Sequence, residues 1–350
     1  MKQVQVSHLG AIFVKRYIVD ALGAMALGLF SSLIIGTILT QVFTLLGITE
    51  TTFAASIIGI TGARSPVVGA AIAVAIGFSL KAPPLAIYAA AAAGAIGYSA
   101  SAAGIPAGPL GAYVAAVLGI EAGAFLAGKT RLDILLVPGA VILVGAAAGT
   151  LVGPPLASFM TGIGDVVNRM TMLRPLPMGI AVSAIMGLVL TAPISSAALA
   201  IMLGLSGLAG GAATAGCCAH MIGFAVASFR ENKIAGLLSQ GLGTSMLQVP
   251  NILRHPLILL PAVTASLITG PLATVVFKMR NSPLGSGMGT SGLVGPITTW
   301  ITMREDTGPV ALLVMILFVF FILPALIALA VSEIMRRAGW IKANQMKLEL

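Results

Sequence analysis

Apolar residues run through this chain in long blocks that charged residues do not interrupt. No Lys, Arg, Asp or Glu occurs between Arg174 and Arg230, and a second uncharged block lies between Lys81 and Glu121. A helix needs about 20 apolar residues to cross a bilayer, so the first block holds two crossings and a turn. The apolar-out, polar-in alternation of a membrane barrel is absent, which leaves helices as the spanning elements. The pattern predicts an all-α polytopic membrane protein.

Charges, prolines and glycines divide the apolar blocks into roughly ten membrane segments. The segment at 195–210 is short and is interpreted as half of a hairpin. The predicted segments are 19–46, 66–80, 84–101, 109–128, 134–152, 176–192, 195–210, 212–229, 256–277 and 308–334.

Composition supports the membrane class. Hydrophobic residues make up 58% of the chain, charged residues 8%, and the mean hydropathy is +1.07. A soluble domain carries about a quarter charged residues, so a soluble fold is excluded. The net charge of +9 does not indicate nucleic acid, because the positive residues lie at the ends of apolar runs, where they orient helices in a membrane.

Lysine and arginine also predict the topology. Lys15 and Arg16 precede the first span, and four positive residues follow the last one, namely Arg336, Arg337, Lys342 and Lys347. Both termini are therefore predicted to be cytoplasmic, with the chain in an inner (plasma) membrane. No cleaved signal peptide is expected, since no small-residue cleavage site precedes the first apolar run.

Two stretches, 236–256 and 279–297, are rich in glycine, proline and uncharged polar residues. Irregular backbone at membrane depth is tolerated only where protein buries it or where it lines a water-filled cavity. We therefore predict re-entrant hairpins that surround a substrate near the middle of the membrane, with ordinary extramembrane loops as the alternative. The candidate substrate ligands in these stretches are Gln240, Thr244, Gln248, Asn251, Asn281, Thr290 and Ser291.

Amides and hydroxyls outnumber charges in both stretches, which suits a neutral, hydroxyl-rich ligand such as a sugar or polyol. An ion or an organic anion would require clustered charge. No cofactor and no metal site is predicted, because the adjacent Cys217 and Cys218 lack the spacing of metal ligands.

Three ionisable residues lie close to apolar sequence. Glu50 either contributes to a functional site, or it sits in an interfacial loop or pairs with Arg64. His220 is a lone histidine in a long apolar run, and it contacts either the substrate or a neighbouring helix. Glu121 could lie within the membrane, with no partner visible in the sequence.

The block GCCAHMIGFAVASFRENKIAGLLSQGLGTSMLQVPNILRHPLILLPA and the later GPLATVVFKMRNSPLGSGMGTSGLVGPI resemble the membrane IIC component of bacterial phosphotransferase systems. They are most similar to a small stand-alone branch that includes perfringolysin O regulator-like proteins. The resemblance covers most of residues 175–335, and GMGTSGLVGP is its most specific part. The family's sugar-site motif GITEP follows its site histidine, whereas here GITE occupies residues 47–50, before His220, and Thr51 replaces the proline.

The resemblance implies a homodimeric sugar transporter with a re-entrant substrate domain. Separate IIA and IIB proteins relay phosphate to such transporters from phosphoenolpyruvate. We accordingly expect one membrane-embedded domain over 1–350, substrate binding within 175–300, and no soluble IIA or IIB domain. Any enzymatic activity is at most sugar phosphotransferase activity exerted together with those partners.

Two other functions are compatible with the sequence. One is a membrane sensor or regulator that binds a ligand without transport. The other is a secondary transporter in which Glu50 or Glu121 is linked to a proton gradient.

Assembly is predicted from Gly/Ala-rich faces near 88–104 and 109–127. Such faces mediate close helix contacts in lipid and would join two protomers, unless they pack within a single protomer.

Overall fold

The computed structural model of the protein describes residues 13–62, 64–102 and 105–348. It is built of helices, with one short ladder in which β1 (Ser101–Ala102) pairs antiparallel with β2 (Ile105–Pro106). The helices are α1 (Lys15–Thr44), α2 (Thr52–Thr61), α3 (Pro66–Ser79), α4 (Pro84–Ser99), α5 (Gly108–Leu126), α6 (Asp133–Thr171), α7 (Pro175–Thr191), α8 (Ser196–Met202), α9 (Gly207–Ala227), α10 (Phe229–Leu238), α11 (Val249–Arg254), α12 (Pro256–Val276), α13 (Pro283–Ser286), α14 (Val294–Met303) and α15 (Pro309–Arg337).

Proline marks the start of several helices. Pro66, Pro84, Pro175 and Pro309 open α3, α4, α7 and α15. The first turn of a helix leaves its N–H groups without intrahelical partners, so a residue that lacks this group is well tolerated there. The prolines that delimit the apolar runs in the sequence therefore become helix starts.

The all-α polytopic class is confirmed. Within the described residues, six helices are long and apolar enough to span a membrane, namely α1, α5, α6, α9, α12 and α15. A seventh span results if α2 and α3, bent by 57° at their junction, count as one broken helix. The number ten is not confirmed, because α4 and α7 have only 16 and 17 residues and α8 has 7.

Helix α6 is 39 residues long and continues far beyond the predicted boundary at residue 152. Pro138, Pro154 and Pro155 lie inside it without ending it. Prolines are tolerated within membrane helices because neighbouring groups satisfy the carbonyls that they free. The membrane segment predicted from the sequence, 134–152, ends just before Pro154 and Pro155, whereas the helix itself continues to Thr171.

The chain divides into two compact units. Unit 1 comprises residues 1–36 and 55–159, and unit 2 comprises residues 37–54 and 160–350.

Small residues bring the helices of unit 1 into close contact. A Cβ atom added at Gly94 would overlap Gly69 and Ala73, and one added at Gly97 would overlap Gly111 and lie 2.5 Å from the Ala115 Cβ atom. These contacts join α4 to α3 and α5. The Gly/Ala faces that the sequence offered as a subunit contact therefore pack within one protomer.

Unit 1 also contains the partner of Glu121 that the sequence did not show. Arg16 donates to Glu121 Oε1 through Nη2 at 2.7 Å and through Nε at 3.1 Å. Both side chains are half-buried, and their positions are 105 residues apart in the chain.

In unit 2, α9 is the central helix. It packs against α7, α12 and α15, and most of its residues are fully buried. This position brings His220, near the middle of α9, into the interior of the unit.

Candidate functional site

Both polar stretches singled out from the sequence are buried in unit 2. In the first, α10 is followed by a π-helical turn (Ser239–Gly243), a 3₁₀ turn (Ser245–Gln248) and α11. In the second, α13 is followed by a 3₁₀ turn (Ser291–Leu293) and α14. Their predicted ligands are all buried. The predicted ligands therefore do not belong to exposed loops, and the re-entrant arrangement within the membrane stays a prediction.

Carboxamides of the first stretch form a continuous chain. Gln240 Nε2 donates to Ser228 Oγ at 2.9 Å, and Gln248 Nε2 donates to Gln240 Oε1 at 2.9 Å. Asn251 Nδ2 then donates to Gln248 Oε1 at 2.9 Å. Thr244 caps the 3₁₀ turn, since its Oγ1 accepts from the Met246 N–H at 3.2 Å. The hydrogen-bonding capacity of these side chains is used largely within the protein.

Asn281 braces the second stretch. Its Nδ2 donates to Thr214 Oγ1 at 2.8 Å and to the Gly295 carbonyl at 3.1 Å, while its Oδ1 accepts from the Ser282 N–H at 2.8 Å. These bonds connect the stretch to α9 and to the start of α14.

Thr290 connects the two stretches. Its Oγ1 donates to the Gly241 carbonyl at 2.5 Å and lies 3.5 Å from Met221 Sδ on α9. Both polar stretches and the centre of α9 therefore meet at one place.

His220 belongs to a buried row of polar groups drawn from three elements. Its Nδ1 lies 2.8 Å from Thr191 Oγ1, at the end of α7, and Thr191 Oγ1 lies 2.9 Å from Ser245 Oγ. Thr191 Oγ1 is also 3.1 Å from the Gly187 carbonyl. Thr191 was not predicted as a site residue, although a hydroxyl at the end of an apolar run is a signal that could have identified it.

The three contacts of Thr191 favour one tautomer of His220. A threonine hydroxyl has one hydrogen, and the Gly187 carbonyl can only accept it. All three contacts of Thr191 are satisfied together only when His220 Nδ1 and the Ser245 hydroxyl both donate to Thr191. The Nε2 atom of the neutral imidazole is then a hydrogen-bond acceptor.

His220 Nε2 has no hydrogen-bond partner, and neither do Ser291 Oγ and Thr299 Oγ1. Among the described residues, the only other buried side-chain polar atom in this condition is Arg336 Nε. Each such group costs about 1–3 kcal/mol of stability when it stays unsatisfied. His220 and Ser291 are sequence neighbours of Met221 and Thr290, which are in contact. Two of the atoms without a partner, His220 Nε2 and Ser291 Oγ, therefore belong to segments that contact each other.

Comparison with known protein families gives one match. A family model described as "Phosphotransferase system, EIIC" matches residues 19–348, which includes most of both units. The chain belongs to this family. Searches of curated proteins and of solved structures found no match. As an EIIC protein, the chain is a multi-pass membrane subunit of sugar transport, and other phosphotransferase-system proteins are its general class of partner.

The remaining predicted residue of this EIIC protein is Glu50. It lies exposed in the turn between α1 and α2, within the part of the chain assigned to unit 2. It therefore does not share the buried environment of His220.

The cysteines of the EIIC protein are packing residues. Cys217 and Cys218 are fully buried on α9, and Cys217 Sγ lies 3.5 Å from the Met186 carbonyl. Within the described residues, no group of three or more His, Cys, Asp or Glu side chains could hold a metal ion.

Proposed function

We propose that this EIIC protein binds a sugar or polyol near the middle of the membrane, within unit 2, and carries it across. The observation that supports the proposal is the Nε2 atom of His220. It is a buried acceptor without a protein partner, held in place through the Thr191 hydroxyl. A hydroxyl of the substrate would donate to it and remove the cost of leaving it unsatisfied.

The predicted site residues have two roles in this proposal. His220 and Ser291 contact the substrate, with Thr191 and Ser245 orienting the imidazole. The other buried candidates, namely Gln240, Thr244, Gln248, Asn251, Asn281 and Thr290, hold the two broken segments in shape. Glu50, which is exposed, has no assigned role.

We further propose that transport is coupled to phosphoenolpyruvate through separate IIA and IIB proteins. A phosphodonor protein could not reach His220, Cys217 or Cys218, because all three are fully buried. Phosphate would therefore pass to the sugar from a partner at the cytoplasmic face. The proposal includes a bacterial plasma membrane location, cytoplasmic termini and a homodimer.

Binding of radiolabelled sugars and polyols to the purified protein tests the site. Thr191→Val keeps the side-chain volume but removes the hydroxyl that holds His220 and Ser245, so we expect at least a tenfold loss of affinity. Thr269→Val is the matched control, because Thr269 is equally buried and its hydroxyl bonds only to carbonyls of its own helix. Binding of an anion or amine, with no carbohydrate bound, would overturn the proposal.

Counterflow in proteoliposomes separates transport from sensing. Exchange of labelled sugar is expected, and binding without exchange would favour a regulator. Uptake that persists in uncouplers and requires phosphoenolpyruvate, IIA and IIB would exclude a proton-linked carrier. The structure does not favour Glu121 as a proton-linked carboxylate, since that side chain is engaged by Arg16.

A further inference from the structure

Three consecutive residues after α9, namely Arg230, Glu231 and Asn232, bind the C-terminal part of the chain. Arg230 Nη2 contacts Glu333 Oε2 at 2.8 Å. Glu231 accepts from Arg336 through both carboxylate oxygens, at 2.9 and 3.1 Å, and this pair is buried. Lys233, the next residue after Asn232, has a positive φ of 50° inside α10.

Beyond α15 the chain turns back, and we name residues 341–348 the C-terminal strap. The Met346 carbonyl accepts from Asn232 Nδ2 at 2.8 Å and from Gln248 Nε2 at 2.9 Å. The Lys347 carbonyl accepts from Asn251 Nδ2 at 2.9 Å, and the Leu348 N–H donates to Asn232 Oδ1 at 2.8 Å. Three carboxamides therefore hold the backbone of the strap.

Apolar contacts also hold the strap in place. Ile341 and Met346 are buried in a cluster that includes Phe224, Ile258 and Met335. The side chain of Lys347, in contrast, is exposed. The strap is therefore held by hydrogen bonds to its backbone and by its buried apolar side chains. The exposed side chain of Lys347 does not contribute to either.

The residues that bind the strap are connected through the 3₁₀ turn to the candidate sugar site. Gln248, which donates to Met346, ends the 3₁₀ turn that Ser245 begins. Ser245 in turn lies 2.9 Å from Thr191, the partner of His220. Gln248 and Asn251, predicted from the sequence as sugar ligands, are occupied by the strap instead. Loss of the strap would leave amide hydrogens of Asn232, Gln248 and Asn251 without these acceptors.

We propose that the C-terminal strap is a latch for the broken segment 229–251. When docked, it holds this segment and positions Ser245 beside Thr191. When released, it exposes the three carboxamides and lets the segment move. Its effect on sugar affinity rests on the proposed function, whereas the latching itself does not.

Hydrogen–deuterium exchange of the full membrane protein, without any sugar, tests the latch. We expect removal of residues 346–350 to raise exchange within 239–251 at least tenfold, while exchange in α3, α4 and α5 stays unchanged. Asn251→Ala removes one bond to the strap, together with the bond to Gln248 Oε1, and should give a smaller rise at the same place. Lys347→Ala is the matched control, because it keeps the backbone carbonyl, and it should behave as the unmodified chain.

Addition of a synthetic peptide of residues 340–350 to the shortened protein should restore protection of 239–251. Unchanged exchange in both Asn251→Ala and the shortened chain would overturn the latch. A uniform rise throughout the protein would also overturn it, since that result describes a passive contribution to overall stability. If the latch is confirmed but no sugar binds, the proposed function fails and the latch stands.

Discussion

His220 packs against a glycine, and this contact determines where its imidazole lies. A Cβ atom added at Gly187 would overlap the His220 ring and lie 2.8 Å from both His220 Nε2 and the Gly216 carbonyl. The absence of a side chain at Gly187 therefore allows the imidazole to sit beside α7, within reach of Thr191. The contact between His220 of α9 and Thr191 of α7 therefore depends on the absence of a side chain at Gly187.

Gly187→Ala should displace the imidazole and reduce sugar affinity at least tenfold. Overpacking of this kind costs about 1–3 kcal/mol, so the thermal midpoint should fall as well. Gly139→Ala on α6 is the control, because nothing lies within 4 Å of an added Cβ atom there. That change should leave sugar binding intact and stabilise the helix by about 0.5–1 kcal/mol. Unaltered binding in Gly187→Ala would contradict the assigned position of His220.

At the scale of elements, the segment between α13 and α14 is shaped by glycines that approach α9. Gly289 has φ of +55°, and an added Cβ atom would lie 2.8 Å from the Cys217 carbonyl carbon and 2.9 Å from the Cys217 Cβ atom. The turn that carries Thr290 and Ser291 therefore lies directly on α9. This contact explains why a glycine-rich stretch adopts an ordered and buried conformation.

Gly289→Ala should destabilise the protein more than Gly204→Ala does. Both positions have positive φ, and placing alanine there costs about 1–2 kcal/mol. Gly204 has nothing within 4 Å of an added Cβ atom, so the difference between the two variants reports the contact with Cys217. We expect that difference to be about 1–3 kcal/mol in thermal or denaturant unfolding. Equal effects would show that the turn does not rest on α9.

Gly94→Leu should destabilise unit 1 whether or not the protein is a dimer, since Gly94 lies against α3 in the same protomer. Gly139→Leu, at an open position on α6, should be tolerated. Native mass spectrometry in nanodiscs, together with thermal unfolding, distinguishes the outcomes. Suppose that the unmodified protein is dimeric and that the Gly94→Leu protein is equally stable but monomeric. This result would show that the face around Gly94 is a subunit contact.

At the scale of the whole molecule, topology depends on where the positive residues lie relative to the membrane. Lys342 is exposed just beyond α15, whereas the native cysteines are fully buried. With Lys342→Cys, a membrane-impermeant maleimide should label inside-out vesicles and leave intact cells unlabelled. The unmodified chain should stay unlabelled in both. Labelling of intact cells would contradict a cytoplasmic C-terminus.

The membrane class, most helix positions and the family were all predictable from the sequence. Apolar runs of membrane length and prolines at helix starts are local properties, so they can be read from the linear chain. The resemblance carried by residues such as those of GMGTSGLVGP agreed with the family match over residues 19–348. The boundary of α6 was not predictable, because a proline ends a helix or is tolerated within it according to its surroundings.

Which polar groups remain available for a substrate depended on the tertiary structure alone. Gln248 resembles a ligand in the sequence, but its amide is taken by Met346, 98 positions away. Thr191 was not predicted as a site residue, but it meets His220 at a separation of 29 positions. Composition reveals how many donors and acceptors a segment contains. Their pairing is determined by long-range packing, and so is the identity of the few atoms left without a partner.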